Sequence, residues 1–148
     1  MASTTGKPAI AEDAGGESTG RLAPYWRSGD GGRLTLPHCA GCDHLFWPPA
    51  DVCPECLAGT IDWRSVDGAG TVWSVAVYHH AYTAATAAAV PYQCILVELD
   101  CGPRMISRFV PSDAAAAPGQ RVVATRAAMV PDGPMVPCFQ EGEPVGRG

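Results

Sequence analysis

Apolar and polar residues alternate in short runs through the second half of the chain. Thr71 to His79 puts Val72, Ser74, Ala76 and Tyr78 on one side of an extended segment and Trp73, Val75, Val77 and His79 on the other. A period of two predicts a strand. Apolar groups on both sides suit a strand that bends around a small barrel. Tyr92 to Asp100, Arg104 to Val110, Gln120 to Ala127 and Met135 to Gln140 extend the set to five strands. Cys101-Gly102-Pro103 and Pro118-Gly119 turn the chain between them. Upstream, Arg33 to Pro37 and Ile61 to Val66 read as two further short strands, the second stopped by the turn signal Asp67-Gly68-Ala69-Gly70. Pro24-Tyr25-Trp26-Arg27 predicts a short helix with proline in its first turn, ended by Ser28-Gly29-Asp30-Gly31-Gly32. Tyr25 and Trp26 are read as packing residues. The alanine-rich stretch from Ala81 to Pro91 fits either a helical turn or a mobile loop. The chain is therefore expected to be mainly β, with a five-stranded barrel; pattern alone allows an OB-fold or an SH3-like barrel.

The ends follow a different rule. Residues 1–20 are rich in Ala, Gly, Ser and Thr and lack aromatics. They cannot bury enough apolar surface to offset the entropy of ordering, so a disordered tail is expected. Residues 141–148 read as a flexible tail. The expected organisation is a short helix and lead-in strand over 21–37, a cysteine-bearing ribbon over 38–60 and the barrel over 61–140.

Length and charge narrow the function. A chain of 148 residues is one ordinary domain or two very small ones. No run approaches the roughly 18 continuous apolar residues of a membrane span. No basic stretch followed by an apolar one opens the sequence, so a cytoplasmic, reducing setting is expected, where cysteines bind metal more often than they pair. The formal charge is −5, and the ten Lys and Arg residues form no cluster. A nucleic-acid partner is not expected, because binding phosphates calls for a basic patch.

The cysteines carry the strongest signal. Cys39-Ala40-Gly41-Cys42 and Cys53-Pro54-Glu55-Cys56 are two C-x₂-C knuckles separated by residues 43–52. Each can deliver two thiolates from one turn, and four thiolates make a tetrahedral zinc site. Disulfides or four free thiols are the alternative. Pro48 and Pro49 should hold the connection extended, and Phe46 and Trp47 are available to cover the metal. His38 and His44 flank the first knuckle, but four cysteines already complete the shell. A closed Cys₄ shell has no open position, so the zinc is read as structural. Cys94, Cys101 and Cys138 sit in apolar contexts and read as packed thiols.

No catalytic constellation stands out. His79 and His80 are adjacent, and neighbours on a strand point to opposite faces. Glu98 and Asp100 share a face by the same rule, at the end of a strand where solvation is expected. Cys94 has no neighbour in sequence that would lower its pKa. Arg104 and Arg108 lie four apart on one strand and share a face with Ile106; they could grip phosphates or a partner's carboxylates, or simply serve solubility. The Ala81 to Pro91 segment, edged by Tyr82 and Tyr92, is the favoured contact surface.

Taken together, Leu34, the paired knuckles around Pro48-Pro49, Asp67-Gly68-Ala69-Gly70-Thr71-Val72, Pro91-Tyr92, Leu96 to Asp100, Gly102-Pro103-Arg104, Pro118 to Val122 and Phe139 match a known pattern. From Tyr25 to Phe139 the chain resembles the acyl-CoA-associated proteins that join a rubredoxin-like zinc ribbon to an OB-fold, long catalogued as domain of unknown function thirty-five. The resemblance implies an OB-fold barrel and a non-catalytic subunit beside a thiolase, thiolase-like aldolase or hydroxymethylglutaryl-CoA synthase. It also implies acyl-CoA as ligand, a hetero-oligomer, and in some cases a hotdog-fold hydratase acting on steroid side-chain CoA esters. Tyr82, Tyr92, Arg104, Arg108, His79 and Trp47 are the expected acyl-CoA or partner contacts. One departure is Ala50, where the family often has arginine after the proline pair. Two other functions stay open: a nucleic-acid-binding ribbon/OB module, and a stand-alone acyl-CoA hydratase or thioesterase.

Overall fold

The computed structural model describes residues 20–111 and 113–143. The tail expected over 1–20 lies outside them except for Gly20, as does the end of the chain from 144 onward. Helix α1 (Ala23–Trp26) is one turn long, with Pro24 at its start, and buries Ala23 and Tyr25. A tight turn over Asp30–Gly32 leads into β1 (Arg33–Cys39). β2 (Ile61–Asp67) returns antiparallel to it, with Leu34 opposite Val66 and His38 opposite Asp62. These two strands form a sheet of their own, so the Ile61 segment joins β1 rather than the barrel.

The barrel consists of β3 (Ala69–Tyr78), β4 (Tyr92–Leu99), β5 (Arg104–Phe109), β6 (Arg121–Ala128) and β7 (Met135–Glu141). Its strand order is β3-β4-β5-β7-β6, closed by β3 against β6. The one parallel contact, β5 with β7, is a single bridge at Phe109 and Phe139, extended by Val110 N–H donating to the Phe139 carbonyl at 2.8 Å. Along β4 the alternation is strict: Gln93, Ile95, Val97 and Leu99 point inward. They meet Val72, Met105, Phe109, Val122, Ala124 and Phe139 in one core. Leu34, Leu36 and Tyr25 belong to the same core, so α1 and β1 are packed into the barrel rather than strung beside it.

Gly68 marks the junction of the two sheets. Its N–H donates to the Gly32 carbonyl at 2.8 Å, and its carbonyl accepts from Ala124 N–H at 2.9 Å. A Cβ there would stand 2.5 Å from that of Ala124 and 2.8 Å from the Gly32 oxygen. Only glycine lets the three backbones approach so closely. Arg126 ties α1 to the barrel by donating to the carbonyls of Trp26, Ser28 and Met135. Gln93, buried at the barrel end, binds the Ala114 carbonyl and accepts from Ala116 N–H at 2.8 Å, holding the β5–β6 connection down.

β3 departs from the simple alternation expected of it. A bulge between Val72 and Ser74 inserts one residue relative to β4. An extra residue reverses the facing of everything beyond it. Trp73 and Ser74 are therefore both exposed, and Val75 returns to the core side. The Ala81–Pro91 segment contains one 3₁₀ turn, Ala84–Thr86, with Thr83 and Thr86 capping each other reciprocally. Among the described residues no helix is long and apolar enough to cross a membrane.

Candidate metal centre and barrel face

The two knuckles fold alike. Cys39 ends β1, and its carbonyl accepts from Asp43 N–H at 2.8 Å while its own N–H donates to the His44 carbonyl at 2.8 Å. Cys53 repeats both bonds, from Leu57 N–H at 3.0 Å and to the Ala58 carbonyl at 2.9 Å. Asp43 and Leu57, each one residue past its knuckle, adopt φ of 64° and 62°. Left-handed backbone at a non-glycine residue is uncommon; here it turns the chain so that both sulfurs of a pair point the same way. The four Sγ atoms lie within 4.8 Å of one another. Cys39 to Cys56 is 3.5 Å, and Cys42 to Cys53 is 3.6 Å. Tetrahedral sulfurs about 2.3 Å from a zinc ion would be about 3.8 Å apart, so the donor set fits that metal. A disulfide would need a sulfur separation of about 2.05 Å.

The electrostatics agree. N–H groups of Cys42 and Gly41 bond the Cys39 sulfur and, against its desolvation, pull this thiol down to about 6. At Cys42 the His44 N–H acts downward, but desolvation and the three neighbouring sulfurs outweigh it and raise the thiol to about 12. Four sulfurs this close ionise together only around a cation. Neither flanking histidine joins them. His38 is buried, with Nε2 2.6 Å from Asp43 and Nδ1 2.8 Å from Asp62. Its pKa is raised by Asp43 first and by Asp62, against desolvation. Asp43, which also meets Arg64 at 3.2 Å, is held below the usual carboxylate range by the His38 bond first and then by the Arg64 charge. His44 stacks on Phe46 with ring centroids 6.1 Å apart.

The barrel supplies a second surface, the outer side of β3, β4 and β5. Register sets Tyr78 opposite Tyr92, Cys94 opposite Arg108, Leu96 opposite Ile106 and Glu98 opposite Arg104. The Arg104 guanidinium lies 4.0 Å over the Trp73 ring and its Nε donates to Glu98 at 2.7 Å. The Arg108 guanidinium lies 4.0 Å over the Tyr92 ring, which stacks on Tyr78 at 5.1 Å and 8°. Ile106, at 73% exposure, and Trp73, at 55%, stand open beside them. In OB-folds, the second and third barrel strands (here β4 and β5) and the loop after the first bind ligands.

Of the six expected contact residues, Tyr92, Arg104 and Arg108 lie on this face. His79 and Tyr82 belong to the loop that follows β3 at its edge, both exposed, with His80 edge-on to Tyr82 at 5.0 Å. Trp47 is elsewhere. It packs on Tyr25 at 4.4 Å and lines a groove of about 500 Å³ between the ribbon and the β4–β5 turn, with Phe46 and Cys101. His79 and His80 follow β3 rather than forming part of it, so the strand rule does not govern them. Glu98 and Asp100 are not a carboxylate pair: Arg104 takes the first, and Arg121 takes the second through two bonds of 2.8 and 2.6 Å. Cys94 is half-buried on the outer face and Cys101 is exposed at the turn, so only Cys138 is the packed thiol expected of all three. Burial pushes Cys138 up to about 11. Sequence reasoning missed Trp73 and Tyr78, because a period-two reading across the bulge put them on opposite faces.

Two family models cover this arrangement. The ChsH2 rubredoxin-like zinc ribbon domain matches residues 26–62, and the ChsH2 C-terminal OB-fold domain matches residues 63–126. The chain belongs to this ribbon/OB-fold family. Among curated proteins it is 41% identical over 80 residues to a probable enoyl-CoA hydratase alpha subunit of Thermomonospora curvata, covering 53% of this chain and 24% of that one. The chain thus spans about a quarter of that relative's length. Among solved structures it is similar to a chain of the Ltp2-ChsH2(DUF35) aldolase, with a TM-score of 0.66 and 29% identity over 91% of this chain and 98% of the other.

Proposed function

We propose that this protein is a non-catalytic accessory subunit of a cytoplasmic acyl-CoA-processing complex. It docks on a thiolase-like enzyme and helps to hold the acyl-CoA. The partner carries out the carbon–carbon chemistry, thiolytic or retro-aldol, on a steroid, aromatic or fatty acyl chain, or runs the reverse condensation. The observation that carries this reading is the similarity, over nearly the whole of both chains, to one chain of the Ltp2-ChsH2(DUF35) aldolase. The curated relative, a probable enoyl-CoA hydratase alpha subunit, supports a hydratase as a further partner, and the family resemblance implies a hotdog fold for it. In this reading the zinc bound by Cys39, Cys42, Cys53 and Cys56 is structural: four thiolates fill its shell, and the ribbon holds β1 in the barrel core.

The test is co-expression with the host's thiolase-like subunit, followed by co-purification and retro-aldol turnover with and without this chain. A stable complex whose activity depends on both chains is the expected outcome. A partner that is fully stable and active alone overturns the proposal.

The barrel face gives a nucleic-acid reading some support, since aromatics and arginines on an OB-fold can stack bases. Two facts weigh against it. The charge is −5. The rings of Trp73 and Tyr92 already carry Arg104 and Arg108 on a face, and Tyr78 stacks on Tyr92 as well. A salt-dependent shift on single-stranded RNA or DNA would favour this alternative.

A further inference from the structure

Three arginines of the barrel are half-buried: Arg108, Arg121 and Arg126. Two of them spend their donors inside the chain. Arg121 binds Asp100 twice and the Thr71 hydroxyl, and Arg126 binds three backbone carbonyls. Arg108 binds no oxygen among the described residues, and its Nε is buried without a partner. What holds it is the Tyr92 ring, 4.0 Å beneath its guanidinium, with Tyr78 stacked behind. The fork is thus fixed in orientation while its hydrogen-bonding capacity is unspent. Its neighbour Arg104 is neutralised by Glu98, which leaves Arg108 as the uncompensated charge of this face.

Beside that charge stands Ile106, at 73% exposure, and farther along the face Trp73, at 55% exposure with Arg104 over one side of its ring. Anything that covers Ile106 also takes water from Arg108. Burying an unpaired guanidinium is costly, whereas a carboxylate that meets its fork repays the desolvation. A phosphate on a small ligand would answer the charge and leave the apolar area uncovered. A protein surface with an acidic side chain set among apolar ones answers both. Clustered Trp, Tyr and Arg are also the residue types that dominate protein interfaces.

We infer that the outer face of β3–β5 is the docking surface for the thiolase-like partner, and that Arg108 is its specificity determinant, receiving a partner carboxylate through its guanidinium fork. This inference rests on the proposed function.

The test measures the dissociation constant of the complex between the full-length chain and the co-expressed thiolase-like subunit. Variants are R108E, R108Q, R108K and, as a control matched in charge, R27E; Arg27 is an exposed arginine at the C-terminal end of α1, outside the β3–β5 face. Thermal melts and zinc content identify folded variants. R108E should weaken binding at least about thirtyfold, R108Q about tenfold and R108K by less, with a shallower salt dependence for R108Q; R27E should change it less than about twofold. If R108E binds as wild type does, or R27E weakens binding as much, the inference falls and the accessory role stands. If R108E keeps the complex but loses binding of free CoA, the face is a phosphate site and the inference also falls. If R108E does not fold, R108Q and R108K decide the matter in the same way. If the wild-type chain forms no complex, the proposed function itself falls, and the inference with it.

Discussion

The ribbon and the barrel face reach their geometry by different routes. In the ribbon each knuckle is made within six residues: two cysteines, a left-handed residue and two backbone bonds, repeated at Cys39 and at Cys53. Local sequence therefore decides which atoms converge. The barrel face has no such unit. Trp73, Tyr92 and Arg108 come from three strands, and they meet only because register and a bulge bring them there. The metal site should accordingly fail all at once when one ligand goes, while the face should lose binding residue by residue with little cost to the fold.

Five experiments would break or sharpen that contrast, the largest effect first. Chelation, or Cys53→Ser, should remove the metal and abolish cooperative unfolding of the ribbon, because metal binding and folding are coupled in such modules. Metal analysis alongside thermal melts reads this; a metal-free chain with an unchanged melt would refute the structural role. Phe139→Ala comes next. It removes a fully buried ring at the only β5–β7 bridge and should cost about 3–5 kcal/mol in urea unfolding. Gly68→Ala should cost about 1–3 kcal/mol through overpacking against Ala124 and Gly32, and should loosen the ribbon from the barrel in hydrogen exchange.

A smaller effect is expected at Asp100. The Arg121 hydrogen bonds hold its carboxyl below the usual range, against some desolvation. A depressed folded pKa stabilises the fold above the unfolded value of about 3.9, and this contribution fades as pH falls through the folded value. With the Asp100 side chain 49% exposed, solvent screening limits it to about 1 kcal/mol or less. Asp100→Asn should lower stability by that amount at pH 6 and leave it unchanged well below pH 3. An equal loss at both pH values would mean that the charge is not what matters. By contrast, Trp73→Ala, on the exposed face, should leave the melting temperature within a few degrees of wild type and be detected only in partner binding.

Much of this was legible in the residues. The knuckle spacing named all four sulfurs, since a C-x₂-C pair carries its own turn. The strands of the barrel were legible from alternation, most clearly in β4, where every second residue is buried. The facing of Trp73 was not, because a bulge depends on the partner strand and leaves no mark in the alternation itself. Trp47 was expected among the contacts and instead packs on Tyr25, because the chain between the knuckles folds back on α1. Cys94 and Cys101 looked like core from their apolar neighbours, but one points outward and the other sits at a turn.

By itself the sequence determined what is local: two metal-binding knuckles, the strands, the turns and, through their order, the family. Only the tertiary structure decided what is shared between strands. It placed β2 with β1, drew Leu34 and Leu36 into the barrel core, paired Asp100 with Arg121, and left Arg108 on Tyr92 without an oxygen to bind. The physical reason is that a turn is fixed by neighbours along the chain, whereas a face is fixed by register across it.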